Sequence, residues 1–459
     1  MPRTPHRPNL RRQRRPSEGS LSLIPPTLTV LGAPIGDEVH AREVLSERIG
    51  SIKSMLAKLS TLNDAQLEFT LLRACFSLPK FAFALRTSPP SHTSQASAFF
   101  DDSIRDALSD IIGAPINDRA WTQASLPVDL GGLGLRSAAS LAPAAFLSSL
   151  SSASKIAKDV YPPFSNEPLL AASLALMPPS SNITALNIPP QKVLSREIDL
   201  LAQHELFSSA ADDRERARLL SLTLPHNGDF LKVVPSKALG LALDPLVFRV
   251  VTLYRLGLQI YPADASCPVC GKLSDRFGDH AVGCGGDFDR IGRHDRLRDA
   301  IFGAARAAAL APRREVAVTS SQSRPADIFL PSWSRGRPAA LDVTVTSSLQ
   351  RSSISGSASR AGHALQLAER RKRRTHATAC HEAGVTFIPL AVEALGGWSS
   401  EACETLVSLA RFHSLRSADP PPDSFQRLLE RLSVTLQRGN GHLIIRRMPP
   451  LSPHISGVL

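Results

Sequence analysis

Three cysteines and one histidine lie close together in the chain, with spacing typical of a metal site. Cys267, Cys270, His280 and Cys284 follow the pattern C-x2-C-x9-H-x3-C. Zinc favours four such ligands in a tetrahedron, and a C-x2-C pair supplies two thiolates from one tight turn. Because all four positions are filled, the pattern predicts a closed, structural zinc site. The alternative is a chance grouping of free thiols.

Two aspartates further along the chain have the chemistry of a catalytic metal site. Asp327 and Asp342 lie in apolar segments with 14 residues between them. The turn residues 332–338 predict a β-hairpin with one acid on each strand. Metal-dependent cleavage of a phosphodiester requires carboxylates that converge on divalent cations, so Mg²⁺ or Mn²⁺ is the predicted cofactor. A carboxylate is costly to bury unpaired, which also favours a cation beside Asp342.

The surrounding segments must position these acids, and their patterns predict a mixed α/β core. The predicted elements are a helix over 293–310, a strand over 313–318, the hairpin, a helix over 361–383 and a strand over 385–392. Glu393 ends the last strand, and we interpret it as either fold-stabilising or an accessory acid. One or two amphipathic helices over 400–440 are expected to cover the sheet.

This order of elements resembles the PD-(D/E)-x-K nuclease fold. More narrowly, the zinc knuckle, the Arg293-His294-Asp295 element and the spacing of the two acids resemble the restriction-enzyme-like endonuclease of site-specific non-LTR retrotransposons. The resemblance covers about residues 265–440. It implies that Asp327 and Asp342 are the metal carboxylates.

The sequence departs from that family at two positions. Ala326 separates the proline from the first acid, and Thr344 occupies the place of the usual lysine. In the retrotransposon enzymes the lysine is commonly displaced to the following helix. The resemblance therefore implies that Lys372 is the catalytic lysine, with Glu315 as a further acid.

Basic residues around these positions predict contacts with nucleic acid. Lys372 lies within a basic run that could alternatively line a DNA backbone groove. His294 is expected to contact phosphate or orient an acid, with helix capping or packing as the alternative. The predicted nucleic-acid contacts are Arg293, His294, Arg370, Arg371, Arg373 and Arg374.

The N-terminal part carries a second resemblance. Leu-Gly-Ala-Pro-Ile-Gly at 31–36, a helical pattern, and a glycine-rich turn at 126–135 resemble the end of the palm and the thumb of non-LTR reverse transcriptases over about 27–150. In that family the polymerase aspartates lie upstream of the first motif, and here only a basic arm precedes it. We therefore expect no reverse transcriptase activity from this chain alone, and a separate reverse-transcriptase chain is a candidate partner.

Composition limits the possible partners and compartment. A formal net charge of +12 favours a polyanionic partner, of which DNA is the first choice and RNA the alternative. No apolar stretch reaches the length of a spanning helix, so a membrane is not an expected partner. The clustered cysteines indicate an intracellular protein, and we expect the nucleus with passage through the cytoplasm.

The predicted fold class is α + α/β: a helical thumb-like bundle, then a zinc knuckle, then a mixed-sheet α/β restriction-endonuclease-like domain. The predicted divisions are a disordered basic arm (1–26), the palm-end and thumb-like region (27–150), a linker (151–190), a helical connector (191–265), the knuckle (266–290), the endonuclease-like domain (291–440) and a tail (441–459).

Three functional hypotheses follow. The first is a truncated, retrotransposon-derived endonuclease that nicks DNA for target-primed retrotransposition. The second is a nucleic-acid-binding module whose active site has decayed. The third is a non-catalytic relic of a transposon reading frame. Convergence of Asp327, Asp342 and Lys372 would favour the first hypothesis over the second.

Overall fold

The structure is a computed structural model that describes residues 27–178, 183–184, 187–318 and 326–448. The predicted basic arm at 1–26 and the last residues of the predicted tail lie outside the described residues. Its N-terminal part is a short hairpin followed by helices: β1 (Leu28–Val30), β2 (Ala33–Ile35), α1 (Glu38–Leu56), α2 (Ala65–Leu71), α3 (Leu78–Thr87), α4 (Pro90–Ile112), α5 (Asp118–Ser125), α6 (Ala138–Val160), α7 (Glu167–Ala175), α8 (Gln191–Ser208), α9 (Asp213–Ser221) and α10 (Pro245–Leu256).

The predicted linker at 151–190 contains helical structure, which corrects that interpretation. Helix α6 continues through Val160, and α7 packs against it. Leu147 of α6, Met177 and Leu194 of α8 are buried in one small apolar cluster. Serine, proline and alanine are the commonest residues of this segment, so its helices form with little of the 3.6-residue apolar repeat that marks an amphipathic helix.

The predicted connector at 191–265 contributes to the main hydrophobic core. Phe248, Val251 and Tyr254 of α10 are buried in the main apolar cluster of the chain, together with Leu45 of α1. Apolar residues lie on nearly every face of α10, as expected for a helix surrounded by protein. The helical bundle therefore closes around α10.

The C-terminal part contains the segment predicted as a zinc knuckle, called the knuckle below, and a mixed α/β unit. Its elements are β3 (Ala265–Ser266), β4 (Leu273–Ser274), α11 (Asp279–Gly283), α12 (Asp289–Ala307), β5 (Arg313–Val316), β6 (Ala326–Ser334), β7 (Arg337–Thr346), α13 (Ile354–Ser359), α14 (His363–Glu382), β8 (Thr386–Glu393), α15 (Ser400–Ser414) and α16 (Pro421–Arg446). A four-stranded sheet has the order β5-β6-β7-β8, in which only the β7–β8 pair is parallel. The mixed α/β class predicted from the sequence is confirmed.

The predicted hairpin is present as β6 and β7, and its turn is shorter than expected. Ser334 pairs with Arg337, so the turn consists of Arg335 and Gly336 alone. Both residues have positive φ, as a two-residue type I′ turn requires. The strands therefore extend into the segment that we predicted as a longer turn.

Helices cover both faces of the sheet. Leu341 and Val343 of β7 pack with residues of α12, α15 and α16 on one face. Ala340 of β7 packs with Cys380 of α14 on the other face. Since successive strand residues point to opposite faces, Asp342 and Thr344 face the layer that contains α14.

The predicted tail boundary at 440 falls inside a helix. Helix α16 continues to Arg446, and Leu443, Ile444 and Arg447 are buried. Glycines at 439 and 441 obscured the helical pattern in the sequence. A side chain at Gly439 would collide with Arg293, and one at Gly441 would collide with Val247, so close packing explains both glycines.

Candidate functional site

The three cysteines and the histidine converge on one point. Cys267 and Cys270 lie in the turn between β3 and β4, His280 lies in α11, and Cys284 follows that helix. Their ligand atoms all lie within 4.8 Å of one another, which is close enough for the four to converge on one zinc ion. The three cysteines form no disulfides. In the described part of the chain, this is the only group of three or more potential ligands so close together, and it could hold zinc.

Hydrogen bonds within the knuckle hold His280 in place. Asp275 accepts from the backbone N–H of Phe277, Asp279 and His280, the last at 2.7 Å. Burial holds the pKa of His280 below its usual value. That shift favours the neutral imidazole, which is the form that binds zinc.

The knuckle is also fixed to the helical bundle. Arg214 of α9 donates two hydrogen bonds to the Asp279 carboxylate, and its guanidinium lies 4.0 Å from the centre of the Phe277 ring. Such a two-point contact between a guanidinium and a carboxylate fixes orientation as well as position. The candidate zinc site is thus oriented relative to the bundle.

The two hairpin acids lie across from one another. Ile328 pairs with Leu341 in antiparallel register, so Asp327 and Asp342 are the next pair along the strands. Asp327 Oδ2 accepts from the backbone N–H of Val343 at 2.7 Å. The two acids therefore lie side by side on neighbouring strands.

Lys372 and His294 complete this cluster from two helices. Lys372 of α14 donates to Asp342 Oδ1 at 3.0 Å. His294 of α12 places Nε2 at 3.1 Å from Asp327 Oδ2 and Nδ1 at 3.1 Å from Asp295 Oδ1. The structure thus brings together Asp327, Asp342, Lys372 and His294.

The two acids have different electrostatic environments. Burial raises the pKa of Asp342 to about 6; Lys372 opposes the rise and the charge of Asp327 adds to it. Burial alone would also raise the pKa of Asp327, but the hydrogen bond and charge of His294 hold it below its usual value. Burial disfavours protonated His294, yet Asp327 and Asp295 outweigh burial and raise its pKa to about 9. At neutral pH, His294 and Asp327 form an ion pair.

The residues fit a divalent cation. Asp342 is 5% exposed, and its Oδ2 is buried with no hydrogen-bond partner among the described residues. A buried carboxylate oxygen without a partner is costly, and a cation would satisfy it. Two protein carboxylates are sufficient for Mg²⁺ when water and substrate phosphate complete the octahedron.

A basic cleft of about 550 Å³ borders these residues. It lies between α12, β7, α14 and the end of α11. Lys372 and His294 line it, together with Arg290, Arg371 and Arg374. A cleft lined by one sign of charge concentrates the opposite sign, so this one favours anionic ligands such as a phosphate backbone.

Arg293, which we predicted to contact nucleic acid, has a structural position instead. Although it borders the cleft, only 3% of its surface is exposed, and Nη1 donates to Asn440 Oδ1 at 2.7 Å. Neighbouring residues on a helix point about 100° apart, so only one residue of the Arg293-His294 pair can face the acids. His294 does so.

The other residues predicted for the site have different surroundings in the structure. Arg373 is paired with Glu401, on the side of α14 away from the cleft, and Arg370 is exposed. Glu315 accepts from Arg298 at 3.0 Å; Arg298 also contacts Asp295, the partner of His294. Glu315 is therefore linked to the cluster through Arg298 and Asp295. Glu393 is buried and bonded to Ser221 of α9, which fits the fold-stabilising interpretation.

Arg290 in the cleft was not predicted from the sequence, and Asp295 was named there only as part of the Arg293-His294-Asp295 element, without a role. A signal for Arg290 was present, because Arg290, His294 and Arg298 are spaced four residues apart and share one face of α12. For Asp295, the element indicated the position but not the contact with His294. Its role depends on the orientation of the imidazole, which the sequence does not reveal.

The chain is similar to a retrotransposon protein over a short stretch. No protein-family model matches the sequence. Over 69 residues the chain is 35% identical to the "Retrotransposable element SLACS 132 kDa protein" of Trypanosoma brucei gambiense. The likeness suggests a retrotransposon origin. The matched stretch is 15% of this chain and covers only 6% of that much longer protein.

A search of the described residues for membrane spans found no helix with the length and apolar character to cross a bilayer.

Proposed function

We propose that the C-terminal part of this chain is a metal-dependent DNA endonuclease of the restriction-enzyme-like class, within a retrotransposon-derived protein. The observation that carries this proposal is the buried Asp342 carboxylate, with one oxygen bonded to Lys372 and the other without a partner in the described structure. Asp342 and Asp327 are the residues that would hold a divalent cation there.

The chemistry of the site supports hydrolysis of a phosphodiester. A bound Mg²⁺ or Mn²⁺ supplies a water of lowered pKa and neutralises charge at the scissile phosphate. His294 keeps Asp327 ionised through their ion pair. Lys372 holds a positive charge beside Asp342 and can donate to the phosphate or orient the attacking water.

The cleft supports a nucleic acid as the substrate. Arg371 and Arg374 lie one helical turn apart on α14, and Arg290 lines the cleft from α12. Contacts of this kind position a phosphate backbone without reading its sequence. DNA is the proposed substrate because the resemblance to retrotransposon endonucleases implies nicking of a DNA target, with RNA as a second ligand.

The wider resemblance leads to further proposals. Helices α1 to α6 and the hairpin before them would correspond to the end of a palm and a thumb. A reverse-transcriptase chain would then be a partner, and the nucleus would be the site of action. The short likeness to a trypanosome retrotransposon protein supports the retrotransposon origin on which these proposals depend.

A second candidate function is a nucleic-acid-binding module without catalysis. Thr344 favours it, because this residue occupies the place of the usual lysine and its buried Oγ1 has no hydrogen-bond partner in the described structure. Both candidates require the basic cleft, and only the first requires a metal at Asp342.

Nicking of supercoiled plasmid by the purified full chain, with Mg²⁺ or Mn²⁺, distinguishes them. The endonuclease predicts open-circular product that disappears with a chelator and with Asp342→Ala. DNA binding without nicking under any divalent cation would reject the endonuclease and support the binding module.

A further inference from the structure

Helices α12 and α16 pack side by side and run in opposite directions. The first residue of α12 forms an ion pair with the last residue of α16. One turn later in α12, Arg293 donates to Asn440, which lies earlier in α16. The next turn of α12, which contains Arg296, therefore lies beside the turn of α16 that contains Arg438. Leucines of both turns are buried in one apolar cluster, as this arrangement requires.

Basic side chains lie along the solvent-facing side of this helix pair. Arg431, Arg438 and His442 follow one another in α16 at intervals of seven and four residues, so they share one face of that helix. Arg296, Arg431 and His442 are exposed, and Arg438 is half-buried. We call these four residues the α12–α16 face.

The arginines of this face are not neutralised by carboxylates. In the part of the chain that the structure describes, Arg296, Arg431 and Arg438 form no ion pair. By contrast, Arg427 and Arg446, which lie on either side of the row in α16, are each paired with an aspartate. The charges of the face are therefore available to a ligand.

Arg438 is fixed in position without losing its charge. Its Nη2 donates to the backbone carbonyls of Gly240 and Ala242 at 2.8 and 2.9 Å. Carbonyl oxygens orient a guanidinium but carry no net charge. The α12–α16 face thus contains one cation that is already held in place.

His442 lies among these charges. Burial holds the pKa of His442 below its usual value, and Arg296 and Arg438 act in the same direction. Asp244 and Asp289 oppose them, but Asp289 is already engaged in ion pairs of its own. Of the acids that act on His442, this leaves Asp244 to oppose the arginines. An anionic ligand would offset the repulsion that remains.

The α12–α16 face points away from the basic cleft. Arg290 and His294 of α12 line the cleft. Arg296 follows His294 by two residues, so its side chain is rotated by about 200° around the helix axis. A nucleic acid in the cleft would leave the α12–α16 face free to bind a second segment.

The shape of the face suits a duplex. Arg431 and His442 are separated by about 16 Å along the helix axis, the length of about five phosphates of one strand. Single strands usually stack their bases on exposed aromatic side chains. Among the described residues of α16, none is an exposed phenylalanine, tyrosine or tryptophan. A duplex, whose bases are already stacked, needs only the backbone contacts that the face offers.

We propose that Arg296, Arg431, Arg438 and His442 bind the phosphate backbone of a second nucleic-acid duplex, on the side of α12 opposite the cleft. This inference rests on the proposed binding of nucleic acid, and it is independent of the metal sites and of hydrolysis. Contacts of this kind hold a backbone without reading its sequence. The chain would then hold two nucleic-acid segments at once.

The chain offers a matched control for the test. Arg296→Gln/Arg431→Gln, the face variant, removes two exposed charges and leaves the bonds of Arg438 to backbone carbonyls intact. Arg427→Gln/Arg446→Gln, the control variant, removes two arginines of α16 whose side chains are 57% and 61% exposed but already paired. Both variants lower the net charge equally. Only the face variant should remove phosphate contacts.

The experiment measures binding of a DNA duplex of about one helical turn by the full-length protein. With the cleft intact, the wild type and the control variant should bind about two duplexes per chain, and the face variant about one. Salt titrations are done with Arg371→Ala/Arg374→Ala also present, so that the remaining binding reports on the face. There the face variant should reduce the slope of log affinity against log salt by roughly 2, because each phosphate contact contributes about 0.9. The control variant should reduce it by less than about 0.5, since it removes no phosphate contact.

The inference is overturned if the face and control variants have equal slopes, or if Arg371→Ala/Arg374→Ala alone abolishes duplex binding. A face that bound single-stranded RNA and no duplex would overturn the assignment to a duplex. If the face variant does not fold, Arg431→Gln alone decides, with an expected slope reduction of roughly 1. Absence of nicking with two duplexes bound would reject only the nuclease, whereas a wild type that binds no nucleic acid would reject the cleft and the face together.

Discussion

The ammonium of Lys372 lies 3.0 Å from the carboxylate of Asp342, although the two residues are 30 positions apart in the sequence. The contact joins α14 to β7 on the face of the sheet where Thr344 is also located. A lysine from a helix thus reaches the neighbourhood that a lysine at 344 would occupy. The effect of having Thr344 in place of the usual lysine can therefore be tested.

A lysine can be introduced at position 344, where the nuclease fold usually has one. We expect Lys372→Ala to reduce nicking by roughly 100- to 1,000-fold, the usual loss when one electrostatic donor is removed from an active site. Adding Thr344→Lys to that variant should recover part of the activity, because Thr344 follows Asp342 on the same face of β7. Nicking rates of the single and double variants measure this. A folded double variant with no recovery would contradict the catalytic role of Lys372.

Arg371 and Arg374 should supply phosphate contacts, and Arg373 should not. Replacing both cleft arginines with alanine should weaken DNA binding at all sequences. It should also reduce the slope of log affinity against log salt by roughly 2, because each phosphate contact contributes about 0.9. Arg373→Ala is the control, since that side chain is paired with Glu401. Equal salt slopes for all three proteins would argue against the cleft as the binding surface.

Arg293 should affect stability and not DNA binding. Arg293→Met removes the buried hydrogen bond to Asn440 and should lower the free energy of unfolding by about 1 to 3 kcal/mol. DNA affinity of the folded variant should remain normal. Chemical denaturation and a binding titration measure the two effects. Weakened DNA binding with unchanged stability would restore Arg293 to the nucleic-acid interface.

Zinc should hold the knuckle together. Cys270→Ser should abolish zinc binding and increase hydrogen exchange over residues 265–290 by at least roughly tenfold, because the ligands replace a core that this segment lacks. Cys75→Ser is the control, since Cys75 is an exposed residue outside the cluster. Metal analysis and exchange rates are the measurements. Normal protection in a zinc-free Cys270→Ser variant would show that the metal is not structural.

Some of these features followed directly from the sequence. The apolar segments around Asp327 and Asp342, with turn residues between them, predicted the hairpin that the structure contains. The cysteine and histidine spacing predicted a cluster that could hold zinc. Both predictions rest on residues that are close together in the sequence. Short connections bring such residues together in the fold.

Other features depend on packing that the sequence does not reveal. The direction of Arg293 is set by Asn440, which is 147 positions away. The helices over 151–175 lack an apolar repeat, and the end of α16 lies in the segment that we predicted as a tail. Glu315 occupies a strand as predicted, but its contact with Arg298 depends on how α12 lies against that strand.

The most direct test is plasmid nicking by the Asp327→Ala and Asp342→Ala variants, measured with zinc content and DNA affinity on the same preparations. Asp299→Asn is the control, because Asp299 is a half-exposed acid on α12 that is paired with Arg298 and Arg314. We predict that each alanine variant loses nicking while zinc content and DNA affinity stay close to normal, and that Asp299→Asn nicks like the wild type. Nicking by either alanine variant at the wild-type rate would contradict the proposed metal site.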